Sequence, residues 1–520
     1  MVKNVFWGLA LIALCFPYSL LTQEVSQDKR IELSRSQRRA GPEAAFQTEN
    51  GDYKVFLSPR ALRGFQSEVL LIDKNLFNHG VEEVTFNSND IHKPQYEVDQ
   101  GFLAYNIDEG ARGTGVQLNL TLYDKNYNLK NQKDINLCSK NEFMGGRVLQ
   151  AGDSIHLVFQ CGQFDGKIFR ETTIRHIVFD GNALTTLSEK YLTFPGIKNL
   201  EIETAAISNQ NLYLIATEDR LNQHNAIEEK HILLKFNKNG EEESRSELSL
   251  PSGFELLNAL MEIYQDEIYI IGEYISANTP IEYPTDLRPQ RSQNHTIKNI
   301  AEGVYLTKLN QNYETVHVNY FSYDVMISNK VISGNKKFFK NGLHYNLREF
   351  VFIDDGSFYV VADLFSKTWR IKQRGKPDDM DYDYTTRFNI TDNVVFHFNT
   401  ETNLEWVVTF SNKNRREDRS GLLKKTLPTN YNELDYFIIN YQDLALFYDH
   451  TPVISLRSSE GLGCVYVKRN GAVSGPHDYS DGGDYRRIKH GLIQENNNTV
   501  LSVGKDKRGR NIWLKRIVFR

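Results

Sequence analysis

The chain has 520 residues, with 61 Lys and Arg against 66 Asp and Glu, a formal net charge of −5. No basic excess is available to meet phosphate, which excludes a nucleic-acid partner. Four cysteines in a chain of this length are too few for a disulfide framework.

Residues 1–22 read as a secretory signal peptide. Lys3 supplies the positive start and an apolar run follows to Leu21, broken only by Pro17 and Ser19 near its end. The run is short for a helix crossing roughly 30 Å of hydrocarbon, which disfavours a membrane anchor. Lipidation at Cys15 is disfavoured by the large Leu14 before it. The expected mature protein is exported, to the periplasm, the cell surface or the medium, with no transmembrane segment once the signal is removed. It keeps Cys138, Cys161 and Cys464. The first two are near enough in sequence to bridge neighbouring strands of one sheet, and export would let them oxidise. The competing reading is three buried small hydrophobes.

From there a two-strand phrase recurs to the end of the chain, most plainly where 453–469 aligns without a gap on 500–516. Its first strands are read at 53–58, 102–108, 154–162, 211–219, 267–275, 357–365, 453–457 and 500–504. Each is rich in β-branched and aromatic residues, and several are continuous apolar runs, as in strands covered on both faces. The second strands end in Asn, Asp or Gly turns. Asn239-Gly240, Asn470-Gly471 and Asp180-Gly181 are strong hairpin signals, and they predict type I′ turns with positive φ at both central residues. Adding an outer strand after each hairpin and an inner strand before each phrase gives four antiparallel strands per unit.

Most units repeat at about 50 residues, the spacing of architectures whose units bury their apolar faces only against neighbours. Two units are enlarged, by insertions at 276–303 and 366–392. A long stretch at 322–350 also separates two units. The phrase resembles that of β-propellers in general, the WD40 and kelch type of architecture, across 52–520. Neither the Gly-His and Trp-Asp pairs of WD40 repeats nor the paired glycines of kelch repeats recur, so no named family is implied. The expected fold is therefore all-β, a propeller of seven or eight four-stranded blades. The segment 23–51 supplies a strand, near 29–34, that closes the ring.

The insertion 366–392 is the most functional-looking stretch, because a loop of that length on a rigid scaffold usually carries a task. Trp369, Arg370, Arg374, Tyr382 and Tyr384 are its candidate ligand-binding residues, suited to stacking on a sugar or gripping a protein. A solvated, internally paired loop is the plainer alternative. Asp379, Asp381 and Asp383 alternate like the first ligands of a calcium loop. Tyr384 then stands where the turn glycine belongs and Ile390 where the glutamate belongs. The stretch 478–485, with Asp478, Asp481 and Asp484, is a comparable candidate for Ca2+.

No His-Glu-x-x-His, no Gly-x-Ser-x-Gly elbow and no phosphate loop is present, so no catalytic residue is assigned and no cofactor is evident. The repeated turn of sialidase-like propellers is absent as well. The expectation is a binding module for a protein or glycan, acting through its loop face. The alternative is a carbohydrate-active hydrolase with a carboxylate pair at the channel mouth, a pair that sequence has no means to select.

Overall fold

The protein is an all-β, eight-bladed β-propeller, with one short helix among the described residues. The computed structural model describes residues 23–520 except 36, 39, 60–66, 85–93, 109–114, 140–141, 165–168, 193, 195–199, 209–210, 222–226, 238, 249, 251–252, 277–292, 298–300, 311, 329–331, 334–342, 375–380, 421–433, 451–460, 480–483 and 507. The predicted signal, 1–22, lies outside the described residues. Among those described, no helix is long and apolar enough to cross a membrane.

The chain divides into two compact units. One comprises 1–93 and 433–520 and holds three blades. Blade 1 runs from its inner strand outward as Ala40–Gln47, Tyr53–Pro59, Ser67–Ile72 and Asn78–Val84. Blade 7 is Leu434–Ile439, Asp443–His450, Gly461–Val467 and Val473–Asp478. Blade 8 is Tyr485–Asn496, Thr499–Asp506 and Asn511–Phe519, with the N-terminal strand Gln23–Glu32 outermost. That strand pairs antiparallel with the C-terminal one, from Gln23 opposite Phe519 to Glu32 opposite Asn511. The predicted closing strand is thus present, and it is longer than the sequence suggested.

The other unit, 94–432, holds five blades. Blade 2 is Pro94–Val98, Gly101–Asp108, Gly115–Tyr123 and Leu129–Ser139. Blade 3 is Phe143–Ala151, Ser154–Phe164, Phe169–Asp180 and Thr186–Leu192. Blade 4 is Leu200–Ser208, Asn211–Leu221, Ile227–Phe236 and Glu242–Glu247. Blade 5 has a split inner strand, Phe254–Leu256 and Leu260–Tyr264, then Glu267–Ser276, Gly303–Leu309 and Thr315–Ser322. The helix α1, Tyr323–Ser328, follows. Blade 6 is His344–Phe352, Phe358–Arg374, Asp381–Phe398 and Leu404–Ser420.

The apolar clusters lie between blades, which is why the repeat unit cannot stand alone. One joins Leu118, Leu120 and Leu122 of blade 2 to Ile155, Leu157 and Phe159 of blade 3. Another joins Tyr269 and Ile271 of blade 5 to Phe358, Val360 and Phe396 of blade 6. In the three-blade unit, Val55 and Leu57 of blade 1 share a cluster with Leu501 and Leu514 of blade 8.

Three expectations are corrected. The strand that pairs with Gly461–Val467 is Asp443–His450, ten residues before the one expected at 453–457, which lies outside the described residues. The connection between second and third strands is longer in blade 7 than in blade 8, so a gapless alignment sets the phrase on the wrong segment. Blade 1 begins at Ala40–Gln47, inside the segment set apart before residue 52; its Ala, Gly and Pro content hides it as a strand.

The hairpins, finally, are not of type I′. At Asn239-Gly240 and Asn470-Gly471 only the glycine has positive φ, 74° and 79°. Equivalent positions are filled by Leu76, Tyr127, Tyr313 and Thr402, all left-handed. The pattern is a type I turn closed by one left-handed residue and a bulge, and the register shifts at the base of this hairpin in blades 1 to 6. An Asx side chain fixes it: Asp124 Oδ1 accepts from the Asn126 and Asn128 amides at 2.8 Å each, and Asn310 and Asn399 repeat the arrangement.

Candidate binding site

Two insertions that are separate in sequence meet in one sheet. Within 276–303, Gln293–Ile297 pairs antiparallel with the far half of Phe358–Arg374. The 366–392 insertion is a long two-stranded ribbon rather than a loop: Phe358–Arg374 and Asp381–Phe398 remain paired out to Arg374 opposite Asp381. Leu404–Ser420 flanks the ribbon on its other side. Ile332–Ser333, within the stretch 322–350, adds a parallel bridge to Leu404–Ser420.

The register sorts the predicted ligand-binding residues. Trp369 stands opposite Thr386, Ile371 opposite Tyr384 and Gln373 opposite Tyr382, so these share one face of the ribbon. Arg370, Lys372 and Arg374 stand opposite Thr385, Asp383 and Asp381 and share the other. Of the predicted calcium ligands, Asp381 and Asp383 occupy this strand rather than a compact turn, and Asp379 lies outside the described residues. In the second candidate, Asp478 ends a strand and Asp481 lies outside the described residues. Among the described residues, no three His, Cys, Asp or Glu side chains converge on a metal site.

A second polar surface belongs to no predicted motif. It lies on the inner strands of the five-blade unit, which contact one another from blade 3 through blade 6. Tyr96 of blade 2 donates its hydroxyl to the Val148 carbonyl of blade 3 at 2.5 Å. Tyr105 stacks on it with ring centroids 6.0 Å apart. Beside Val148 stands Arg147, half-buried. Burial lowers the pKa of Arg147, while Glu262 of blade 5, the two tyrosines and Glu349 of blade 6 act on it through space in the opposite sense. None of these groups hydrogen-bonds to it. Burial also raises the carboxyl of Glu262, against the pull of the Ile263 amide, which donates to its Oε1 at 3.2 Å, and of Arg147. Sequence inspection has no route to this set, because its members come from four blades and each sits alone in its own strand.

Several other buried polar groups are bonded to one another. In blade 4, the Thr217 hydroxyl donates to Glu203 Oε1 at 2.5 Å and His231 Nδ1 lies 3.3 Å from the same oxygen. His231 Nε2 reaches the Leu256 carbonyl of blade 5 at 3.0 Å, so the network braces one blade against the next. His156 and His176 of blade 3 are 3.0 Å apart, Nδ1 to Nε2, and burial lowers both to about 4. Cys138 and Cys161 are joined, and they link the outer strand of blade 2 to the second strand of blade 3 rather than two strands of one sheet. Cys464 is a buried free thiol whose pKa burial pushes well up.

No family model matches this chain, and no curated protein does. Solved structures similar to it include a eukaryotic initiation factor at 9% identity, covering 84% of this chain and 78% of that one with a TM-score of 0.36. The polysaccharide lyase Uly1, at 8% identity, covers 95% of this chain and 99% of its own with a TM-score of 0.32. Virginiamycin B lyase from Staphylococcus aureus, at 9% identity, covers the same shares with a TM-score of 0.30. Likeness at this level says nothing about activity.

Proposed function

We propose that this chain is an exported binding module that recognises a protein or glycan, with the ribbon of blade 6 as its recognition element. The reading is supported by the register of that ribbon, in which Trp369 stands opposite Thr386, Ile371 opposite Tyr384 and Gln373 opposite Tyr382. Aromatic faces offer large contact area at low entropy cost, to sugar rings and to protein hot spots alike. Export to the periplasm, the cell surface or the medium is supported by the signal-like 1–22 and by the Cys138–Cys161 bond, which belongs to oxidising compartments.

A second reading, hydrolysis of polysaccharide, is favoured by one observation: Glu262 and Glu349 share a surface, and the carboxyl of Glu262 is raised as a general acid requires. Both readings meet in one experiment. The mature protein and a variant with 369–386 replaced by a short turn are screened against a glycan array and envelope proteins, with and without calcium. Retention of a ligand by wild type and its loss from the shortened protein, at unchanged thermal unfolding, supports the ribbon. Equal binding by both forms overturns it. Calcium-dependent binding that is lost on Asp381→Asn with Asp383→Asn would assign the ion to Asp379, Asp381 and Asp383 rather than to 478–485. Release of reducing ends from an array glycan by wild type, and not by Glu262→Gln, would replace binding by hydrolysis.

A further inference from the structure

Tyr441 has a strained backbone and an exposed ring, and packing accounts for neither. It lies in the turn between Leu434–Ile439 and Asp443–His450 of blade 7 with φ at 66°, after Asn440 at 52°. The Gln442 amide donates to the Ile439 carbonyl at 3.1 Å, which completes a type I′ turn. Positive φ suits Gly, Asn and Asp, whereas a bulky side chain pays for it unless its surroundings compensate. Elsewhere in the molecule they do. Leu76, Leu184 and Thr402 are left-handed and buried, Tyr127 stacks on Phe102 at 4.8 Å, and Tyr313 meets Tyr213 edge-on at 6.2 Å. Turns between the same two strands place Gly51, Gly152, Asp266 and Gly356 in the left-handed region in blades 1, 3, 5 and 6. Tyr441 is 66% exposed, and among the described residues it is the one aromatic or aliphatic left-handed residue that is not at least half-buried. The turn beneath it is held without help from the ring. Tyr466 donates its hydroxyl to Asp443 Oδ2 at 2.5 Å and accepts from Asn440 Nδ2 at 3.3 Å. The Arg469 amide donates to Asp443 Oδ1 at 2.9 Å, and the Asn440 amide donates to the Asn497 carbonyl of blade 8 at 2.6 Å.

We propose that Tyr441 is a stacking platform for a sugar ring, with Gln442 and Arg469 as polar groups at its margin. Arg469 Nη1 reaches Gln442 Oε1 at 3.5 Å, so the two planar side chains stand together beside the turn. A preorganised aromatic face next to planar hydrogen-bonding groups matches a pyranose, which offers an apolar C–H face and a rim of hydroxyls. A protein hot spot needs apolar area sealed from water, and the exposed side chains beside Tyr441 on this turn and on the neighbouring turn 468–471 are Gln442 and Asn470, both polar. One ring on a protruding turn covers one sugar, so single-site affinity is weak, on the order of millimolar, and a polymer that presents many sugars binds better. The site shares no residue with the ribbon of blade 6 and stands whether or not that ribbon binds a ligand.

The test is affinity electrophoresis of the full mature protein through gels containing hydroxyethylcellulose, xylan, galactomannan or pullulan. At least one polymer is expected to retard the wild type, and Tyr441→Gly to weaken that retardation about tenfold or more. Tyr441→Phe and Tyr441→Trp should keep it, because they keep the ring. Glycine accepts the left-handed backbone without strain, so the thermal midpoint of Tyr441→Gly should stay where it is or rise. The shortened-ribbon protein should be retarded like wild type, which separates failure here from failure of the ribbon. The proposal is overturned if none of these polymers retards the wild type, if Tyr441→Gly is retarded as strongly as wild type, or if Tyr441→Gly unfolds at a lower temperature, which would make the ring structural. Retardation lost with the ribbon and kept in Tyr441→Gly would assign the sugar to the ribbon and overturn it as well.

Discussion

Within the five-blade unit, the interfaces between neighbouring blades and the surface of the inner strands obey different rules. At the interfaces, rings pack on rings and polar groups bond across blades. Phe358 of blade 6 meets Tyr269 of blade 5 edge-on at 5.5 Å and lies within a ring cluster completed by Phe350, Phe352 and Phe398. Glu203, Thr217 and His231 bond to one another and to Leu256. On the inner-strand surface, Arg147, Glu262 and Glu349 share a field without bonding. Interfaces that close their interactions hold the fold. These charges add no hydrogen bond between themselves to that task.

The interface side of this contrast breaks most severely at Phe358, which is fully buried. Phe358→Ala removes a ring from a cluster whose other rings are fixed by two blades and have little freedom to collapse into the void. A loss of about 4 kcal/mol is expected, as for large-to-small changes in rigid cores. Urea unfolding checks it. A loss below about 1 kcal/mol would mean that the blades do not depend on this cluster.

How far sequence reaches follows the same division. The interfaces are legible because they repeat: apolar second and third strands and Asx turns recur in each blade, and the phrase exposes them. Cys138 and Cys161 are legible as a pair by spacing, although not as a tie between blades. The turn type was misread because Asn-Gly suggests two left-handed residues, whereas the Asx hydrogen bonds admit one and accept Leu76 or Thr402 there. The strand at Asp443–His450 was missed because loops vary in length while strands do not. The ribbon of blade 6 reads as a loop because its strands are rich in Arg, Lys and Asp, and its pairing is secured by neighbours on both sides, Gln293–Ile297 among them. Arg147, Glu262 and Glu349 carry no local signal at all. Their meaning arises only when four blades bring their inner strands together.

The histidine pair of blade 3 gives the next largest effect, through pH. Both imidazoles are buried neutral and have pKa values lowered from 6.5 to about 4 by burial, that of His176 also by its neighbours His156 and Lys190, which disfavour a second positive charge. A group with a depressed basic pKa contributes its full stability above the unfolded value and loses it as pH falls toward the folded one. Stability should therefore hold down to about pH 6.5 and decline between there and pH 4, by roughly 3 kcal/mol for each ring at the limit. Urea midpoints across this range measure the decline. His176→Gln should flatten it, and an unchanged slope in that variant would assign the acid sensitivity to other groups.

The smallest effect sharpens the contrast most. Arg147→Met removes a half-buried cation that has no hydrogen-bonded partner among the described residues, and replaces it with a flexible apolar chain. Against that gain stands the loss of a favourable field at Glu262 and Glu349, so the two largely cancel. The urea midpoint should stay where it is or rise, by no more than about 1 kcal/mol, as expected where a residue makes no closed interaction in the fold. Arg516 of blade 8 is the control. Its Nε and Nη2 bond Glu495 at 2.6 and 2.7 Å, and Arg516→Met leaves that carboxylate with the Tyr53 hydroxyl but without its counter-charge, so this variant should lose about 3 kcal/mol. Equal losses in the two variants would show that Arg147 is as structural as Arg516, and the division between closed interfaces and an open set of charges would fail with it.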